Sequence, residues 1–540
     1  MSGLDPIDLQ VLTGALRAAC EEMGAVLIRA SHSPNIKERH DCSTALFDAA
    51  GELVMQAEHI PVHLGSMPDA VAAVLDLKQH PGKEWVLNDP YRGGTHLPDI
   101  TLIRPVFAAG ELLGFAASRA HHADVGGAVP GSMPARSHTL EEEGVVIPPT
   151  RADEETLREL ASRMRAPIER LADLRAQRAA NRVGEARLVE LVERLGADGL
   201  RAGMEEILAY AERRTRAALA ALPDGTYEAE DVLEDDSAPS GAPFAPHESK
   251  RRTGTRGSGT SSPSGTPKDV TLRVTATIEG ESLTLDFSGT DPQVGGNLNC
   301  PLSVTKSAAF FAVRALTDPD APPSAGAHRP IEVLASEGCL LNARSPAAVA
   351  AGNVETSCRV ADLVIAALSG ALPTPAQGQG TMNNLTLAGP LRDDGEDVDW
   401  TYYETIGGGQ GACPNAEGPT AVHVTMSNTL NTPVEALEPE FPVRVWELSV
   451  RRGSGGAGRH SGGEGIAREL EALAPIRFSL ITERRRHAPR GSAGGTDGAP
   501  GRNSLNGEPL PAKAEGKLQI GDRLRIETPG GGGWGERSPD

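Results

Sequence analysis

Two apolar runs, TLIRPVF at 101–107 and LLGFAAS at 112–118, flank the short turn AAGE and read as strands. The text on either side, NDPYRGGTHLPDI before and SRAHHADVGG after, is rich in turn residues. A chain written this way must place His96, Asp99, His121, His122 and Asp124 on two segments at strand ends, where sites are commonly assembled. Imidazole nitrogens with carboxylate oxygens suit a borderline divalent ion such as Mn, Fe or Zn. Gly93, Gly94, Gly126 and Gly127 let the backbone come close. A single loop histidine is ordinarily solvated or hydrogen-bonded. Three imidazoles and two carboxylates beside glycine turns instead point to a metal cradle.

The rest of the chain bounds what can surround that cradle. Its 540 residues exceed one core, and ordinary domain sizes suggest about three or four domains. No run of eighteen apolar residues occurs, and the opening MSGLDPIDLQ carries neither a basic nor an apolar leader region, so the expectation is a soluble cytoplasmic protein that does not enter membranes. A formal net charge of −21 would repel a phosphate backbone, which excludes DNA and RNA as expected partners. Six cysteines without a CxxC pair are expected to be reduced and mostly buried. With 61 glycines and 3% aromatic residues, the core must be built from Ala, Val and Leu amid much irregular backbone.

The fold class this implies is α+β: a large multidomain chain with mixed sheets, an amphipathic helical segment and many glycine-rich loops. Residues 1–150 form an α+β region with the proposed metal site. It opens with a helix of about twenty residues behind Asp5 and Pro6, followed by a strand pair, ALF and ELVMQA, around the turn DAAG. Residues 151–234 form a helical segment, because Leu157, Leu160, Met164, Ile168, Leu171 and Leu174 recur at three and four; its mixed charges read as a solvated face. Residues 235–268, dominated by Ser, Gly, Pro and Thr, read as a flexible insertion. Residues 269–540 form a second α+β region, beginning with the hairpin VTLRVTATI and LTLDFSG. Its glycine runs, such as IGGGQGA, RRGSGGAGRHSGGEG and PGGGGWG, match no phosphate-cradling pattern and are expected to be tight turns or loops wrapping a partner. Between them His423, Asn428, Asn431, Glu435 and Glu438 are polar residues suited to a site.

Read together, the strings SPNIKERHDCSTALFD at Ser33, HIPVHLGSMPDAV at His59, NDPYRGGTHLPDI at Asn88, HHADVGG at His121, GNVETSCRVAD at Gly352, YYETIGGGQGA at Tyr402, NTLNTPVEALE at Asn428 and PGGGGWG at Pro529 resemble the hydantoinase B family. That family takes in the B-type subunits of ATP-dependent N-methylhydantoinases, the C-terminal half of 5-oxoprolinases and the metal-bearing subunit of acetone carboxylases. The resemblance covers nearly the whole chain. It implies a metal held by His96, Asp99 and His121, with His122 and Asp124 as alternate ligands or as partners behind the ligands, and Asp124 or His122 as the proton-transfer group. Asp41 and His63 lie in matching strings and are weaker nominations; Lys37, Glu38, Arg39 and Asp41 also read as a structural ion-pair cluster. One departure is Ala327, where the resemblance leads us to expect a cysteine.

The resemblance also implies a division of labour. An A-type partner subunit binds ATP and Mg and phosphorylates an amide or ketone oxygen, and the B-type chain completes the reaction at its divalent metal. The expected function is metal-assisted ring opening of a cyclic amide such as hydantoin or 5-oxoproline, in a hetero-oligomer with the A-type subunit. The alternatives are an acetone-carboxylase-like ATP-dependent carboxylase acting on a ketone, and a non-catalytic scaffold for the A-type subunit.

Overall fold

Asp5 caps the first helix, its carboxylate accepting from the Ile7 N–H at 2.8 Å, and Pro6 occupies the first turn. This helix, Pro6–Ala30, packs Leu12, Leu16, Cys20, Met23 and Leu27 onto a sheet. A computed structural model of the chain describes residues 5–58, 60–235, 268–393 and 396–537; almost all of the expected flexible insertion lies outside the described residues.

The first sheet contains β1 (Cys42–Asp48), β2 (Leu53–Glu58), β3 (Trp85–Leu87), β4 (Asp99–Ala108), β5 (Glu111–His121) and β6 (Thr150–Arg151), in the order β2-β1-β5-β4-β3-β6. The expected AAGE turn joins β4 to β5, with Ala109 at φ 50° and Gly110 at φ 87°. One face is covered by the Pro6–Ala30 helix and by the helix Pro167–Leu195, which brings Ala176 and Ala180 against Ala116 and Ala120. The other face buries Phe47 and Phe115 with Val71 and Val74 of the helix Met67–Leu75. Burial on both faces explains the near-continuous apolar runs of β4 and β5.

The expected helical segment holds three helices, Glu154–Ser162, Pro167–Leu195 and Ala197–Ala220. It ends earlier than the sequence suggests. Residues 225–234, counted with the helices above, belong to β7 (Gly225–Asp235), which pairs antiparallel along its length with β8 (Lys268–Glu279). The acidic text EAEDVLED hides this alternation; pairing with an apolar partner strand decides it. β8, β9 (Ser282–Asp286) and β10 (Ile331–Leu334) complete a four-stranded sheet in which β10 is parallel to β9. Two further sheets follow, from β11 (Asn384–Asp393), β12 (Glu396–Glu404), β13 (Val443–Arg451), β14 (Gly465–Ala472), β15 (Ile476–Ile481), β16 (Arg502–Leu505), β17 (Glu508–Leu510), β18 (Lys513–Leu518) and β19 (Arg523–Glu527). Their orders are β12-β11-β15-β18 and β13-β14-β19-β16-β17. The fold is thus α+β, with several sheets and long helices.

The glycine runs are neither simple hairpin turns nor free loops. They pack on one another. The Gly531 N–H donates to the Gly463 carbonyl at 2.9 Å, the Gly463 N–H to the Gln410 carbonyl at 2.8 Å, and the Gly409 N–H to the Pro529 carbonyl at 3.0 Å. A Cβ added at Gly531 would lie 2.0 Å from the Gln410 carbonyl oxygen, so only glycine admits this backbone approach. All six cysteines are free thiols, five of them buried. Among the described residues no helix is long and apolar enough to cross a membrane.

Candidate metal centre

The antiparallel register of β4 and β5 places Asp99 directly opposite His121. Directly paired strand residues project to the same side, so one hairpin brings the carboxylate and the imidazole together. His96 joins from the turn preceding β4, where the Asp99 N–H donates to its carbonyl at 3.1 Å. The result is a triangle: His96 Nε2 to His121 Nδ1 is 3.2 Å, His96 Nε2 to Asp99 Oδ1 is 3.2 Å, and His121 Nδ1 to Asp99 Oδ1 is 3.2 Å. All three residues are at most 2% exposed. Of the described residues, this is the group of histidine, cysteine and carboxylate side chains placed to hold an ion.

The triangle suits a cation on geometric grounds. The centre of an equilateral triangle of that side lies about 1.8 Å from each corner (the side divided by √3), so donors needing bonds of about 2 Å can share one ion close to their plane. Two neutral imidazoles and one carboxylate are the donor set expected for Mn, Fe or Zn. Buried polar groups also normally have partners, and two imidazole nitrogens facing one another at 3.2 Å beside a carboxylate are well satisfied by a shared cation.

A second set of groups fixes the triangle. The other oxygen of Asp99 accepts from Thr95 Oγ1 at 2.7 Å and Asn353 Nδ2 at 3.4 Å, and lies 3.4 Å from His63 Nε2. His63 is itself held by Ser43, Nδ1 to Oγ at 2.9 Å. Tyr403 stacks on the His121 ring, with centroids 4.6 Å apart and planes 18° from parallel, and its hydroxyl donates to Asn384 Oδ1 at 2.6 Å. Such partners orient ligands and set their basicity.

Electrostatics follow from the burial. Desolvation would raise the Asp99 carboxyl, but His96, His121 and His63 outweigh it and hold the group well below the usual carboxylate range. Desolvation pushes the His96 imidazole down, and Asp99 offsets this only in part. At His121 burial is overcome by Asp99 and Asp41, and the imidazole is raised. The cradle therefore presents an ionised carboxylate ready to exchange a shared proton for a cation.

Beside the triangle lies a very small cavity of about 20 Å³. Asp41, His63, Asp99, His121, Asn353, Tyr403, Thr405, Ser427 and Thr429 contribute to its walls. His96, Asp99 and His121, the three nominated ligands, converge, and the weaker nominations His63 and Asp41 join them at the cavity. His122 and Asp124 do not. The side chains of adjacent strand-end residues point to opposite faces, and His122 turns to the helix side, where Nε2 meets Gln177 Oε1 at 3.0 Å and burial lowers its pKa to about 4. The Asp124 carboxylate is occupied by the Gly126 and Gly131 N–H groups, Ser132 Oγ and the Arg165 guanidinium, and it ties the following turn together. Thr95, Asn353 and Tyr403 escaped the sequence reading, although each lies within a string that carried the resemblance. His423, suggested from sequence as a site residue, bonds Thr429 and Ser427 behind the cavity wall.

Fold and site together define a class: a many-sheeted α+β protein with a buried cluster of two histidines and one aspartate whose geometry could hold an ion. Comparison with known proteins narrows that class. The chain belongs to the hydantoinase B/oxoprolinase family, whose pattern it matches over residues 5–537. It is 37% identical to a 5-oxoprolinase of Dictyostelium discoideum over 99% of its own length, but it spans only 40% of that protein. It is 30% identical to the B-type subunit of a putative D-/L-hydantoinase from a Pseudomonas species, covering 99% of this chain and 91% of that one. Among solved structures, the ATP-dependent caprolactamase of Pseudomonas jessenii superposes with a TM-score of 0.85 at 28% identity, over 99% of this chain and 92% of that one. An acetone carboxylase superposes with a TM-score of 0.84 at 18% identity, over 98% and 76% of the two chains, a likeness of fold.

Proposed function

We propose that this chain is the B-type subunit of an ATP-dependent cyclic amidohydrolase, completing the opening of a ring whose carbonyl oxygen has been phosphorylated by an A-type partner. A lactam or imide carbonyl is a poor electrophile, and conversion of its oxygen to a phosphate ester supplies a leaving group. The observation that carries the reading is the buried 3.2 Å triangle of His96, Asp99 and His121. A bound divalent ion would supply Lewis acidity and a lowered pKa for water there.

The chain's own residues would do the rest. Thr95 and Asn353 fix the second Asp99 oxygen so that the first faces the two imidazoles. Tyr403 locks the plane of His121 and walls the cavity. The proton-transfer role, assigned from sequence to His122 or Asp124, passes in this reading to Asp41, whose side chain lines the cavity while those two face away. Support for the amidohydrolase branch comes from the relatives named 5-oxoprolinase and hydantoinase and from the caprolactamase likeness. Support for a separate A-type partner holding ATP and Mg is the match to 91% of a B-type hydantoinase chain.

Co-expression with an A-type subunit and ATP-dependent turnover of a panel of cyclic amides and ketones tests this. Ring-opened products from hydantoin, 5-oxoproline or a larger lactam are expected. ATP consumption only with ketones plus bicarbonate would replace the proposal with the carboxylase reading, which the acetone carboxylase fold favours second. A chain that retains no stoichiometric ion would favour the scaffold reading.

A further inference from the structure

The His121 ring is held in an unusual way for a candidate ligand. Its Nδ1 faces Asp99 and His96 in the triangle, and its Nε2 is buried without a hydrogen-bond partner among the described residues. A histidine that binds an ion normally has its plane fixed by a hydrogen bond from the far nitrogen. Here that task falls to the stacked Tyr403 ring, 4.6 Å away and 18° from parallel. What holds Tyr403 therefore decides where His121 points.

Tyr403 is tied down at its hydroxyl. That group donates to Asn384 Oδ1 at 2.6 Å, and Asn384 in turn donates from Nδ2 to Glu355 Oε1 at 2.9 Å. The pairing of β11 with β12 makes the first link possible: Thr386 lies opposite Tyr403, and Asn384, two residues away, projects from the same face. Glu355 comes from the π-helical turn Gly352–Thr356, every residue of which is buried. Such turns are rare and recur at functional sites. This one is clamped to the 297–298 segment: the Gly352 N–H donates to the Asn297 carbonyl at 2.9 Å, and Thr356 Oγ1 donates to the Leu298 carbonyl at 2.6 Å. The same turn carries Asn353, which donates to the second Asp99 oxygen at 3.4 Å. One buried turn thus reaches two corners of the triangle, Asp99 directly and His121 by way of Glu355, Asn384 and Tyr403.

We infer that Glu355 is a positioning residue of this centre, fixing through Asn384 and Tyr403 the ring plane in which His121 presents Nδ1 to an ion. The inference rests on the reading of His96, Asp99 and His121 as a metal centre and adds to it a residue two side chains removed from His121. A carboxyl group suits the place. Its Oε1 also accepts from the Met382 N–H at 3.3 Å, so an apolar residue there would leave two buried donors, on Asn384 and Met382, short of an acceptor. Burial pushes Glu355 up to about 8, so at neutral pH the group is largely the neutral acid, which glutamine matches in shape and in its acceptor oxygen.

The test uses the full chain and two metal probes: zinc, for affinity by competition with a chromophoric chelator, and cobalt(II), whose absorption spectrum reports ligand geometry. Melting of each metal-free variant records stability separately. Glu355→Leu and Tyr403→Phe cut the series of hydrogen bonds at its two ends; each is expected to lose about tenfold in zinc affinity and to shift the cobalt spectrum in the same way. The double variant should lose no more than either single one, because both cut the same series. Glu355→Gln, which keeps the acceptor, should retain wild-type affinity and spectrum. A purely structural role predicts lower melting with zinc affinity and the cobalt spectrum unmoved in Glu355→Leu and Tyr403→Phe. That outcome, or losses that add in the double variant, overturns the inference. Should Glu355→Leu fail to fold, Tyr403→Phe, which keeps the ring, decides alone. A wild type that binds neither ion overturns the metal centre and this inference together. The measurements need neither partner nor ATP, so ring-opening activity with Glu355-independent metal binding refutes this inference alone. Glu355-dependent metal binding with no turnover of any cyclic amide refutes the function alone.

Discussion

Replacing Asp99 with Asn is the sharpest perturbation of the candidate metal centre, because it preserves shape while removing the one anionic corner of the triangle. The two imidazoles, 3.2 Å apart, would remain. An ion present at about a thousand times its dissociation constant stabilises the folded chain by roughly 4 kcal/mol. If loss of the carboxylate weakens the ion by about a hundredfold, the upper range for disturbing even an indirect partner, roughly 1.4 kcal/mol remains. About 2.7 kcal/mol of metal-dependent stability should therefore disappear. The assay is elemental analysis after exhaustive dialysis, with calorimetric melting in the presence and absence of a chelator. Wild type should hold one ion per chain and lose stability on chelation; Asp99→Asn should hold far less and respond little. An Asp99→Asn chain that keeps a full complement of ion and the wild-type chelator response would refute the triangle as the binding site.

Other predictions test separate links. Burial, and behind it Glu483, pushes the Glu355 carboxyl from 4.5 up to about 8, so its contribution to stability is full below pH 4.5 and is lost as pH rises through about 8. That displacement is worth on the order of 5 kcal/mol; urea midpoints of Glu355→Gln, which mimics the protonated acid, should fall less than those of wild type between about pH 5 and pH 8.5. Gly531→Ala, whose Cβ would meet the Gln410 carbonyl oxygen at 2.0 Å, should cost about 1–3 kcal/mol or more. Gly295→Ala, with nothing within 4 Å, should change denaturation by less than about 0.5 kcal/mol. His122→Ala should leave metal content unchanged and reduce stability by about 2 kcal/mol through the lost Gln177 contact and the space left behind; loss of the ion would place His122 in the cradle after all.

What the sequence by itself determined is what short-range chemistry encodes. The AAGE turn between two apolar runs dictates a hairpin, and a hairpin's register brings Asp99 opposite His121, so the core of the cradle was legible as text. Asp5 and Pro6 likewise announce the first helix. Tertiary structure decided everything that depends on which way a side chain faces or which distant segment arrives. Strand alternation at the end of β5 sends His121 to the cavity and His122 to the Pro167–Leu195 helix, a choice that adjacent identical letters cannot express. His63, Asn353 and Tyr403 reach Asp99 and His121 from three other parts of the chain, and Thr405 and Thr429 meet Arg39 across more than 360 residues. The glycine runs look like loops in the sequence because their only binding groups are backbone N–H and C=O. Those groups are the same in every residue, so no composition or period reveals that Gly409, Gly463 and Gly531 belong to one packed layer until the chain has folded.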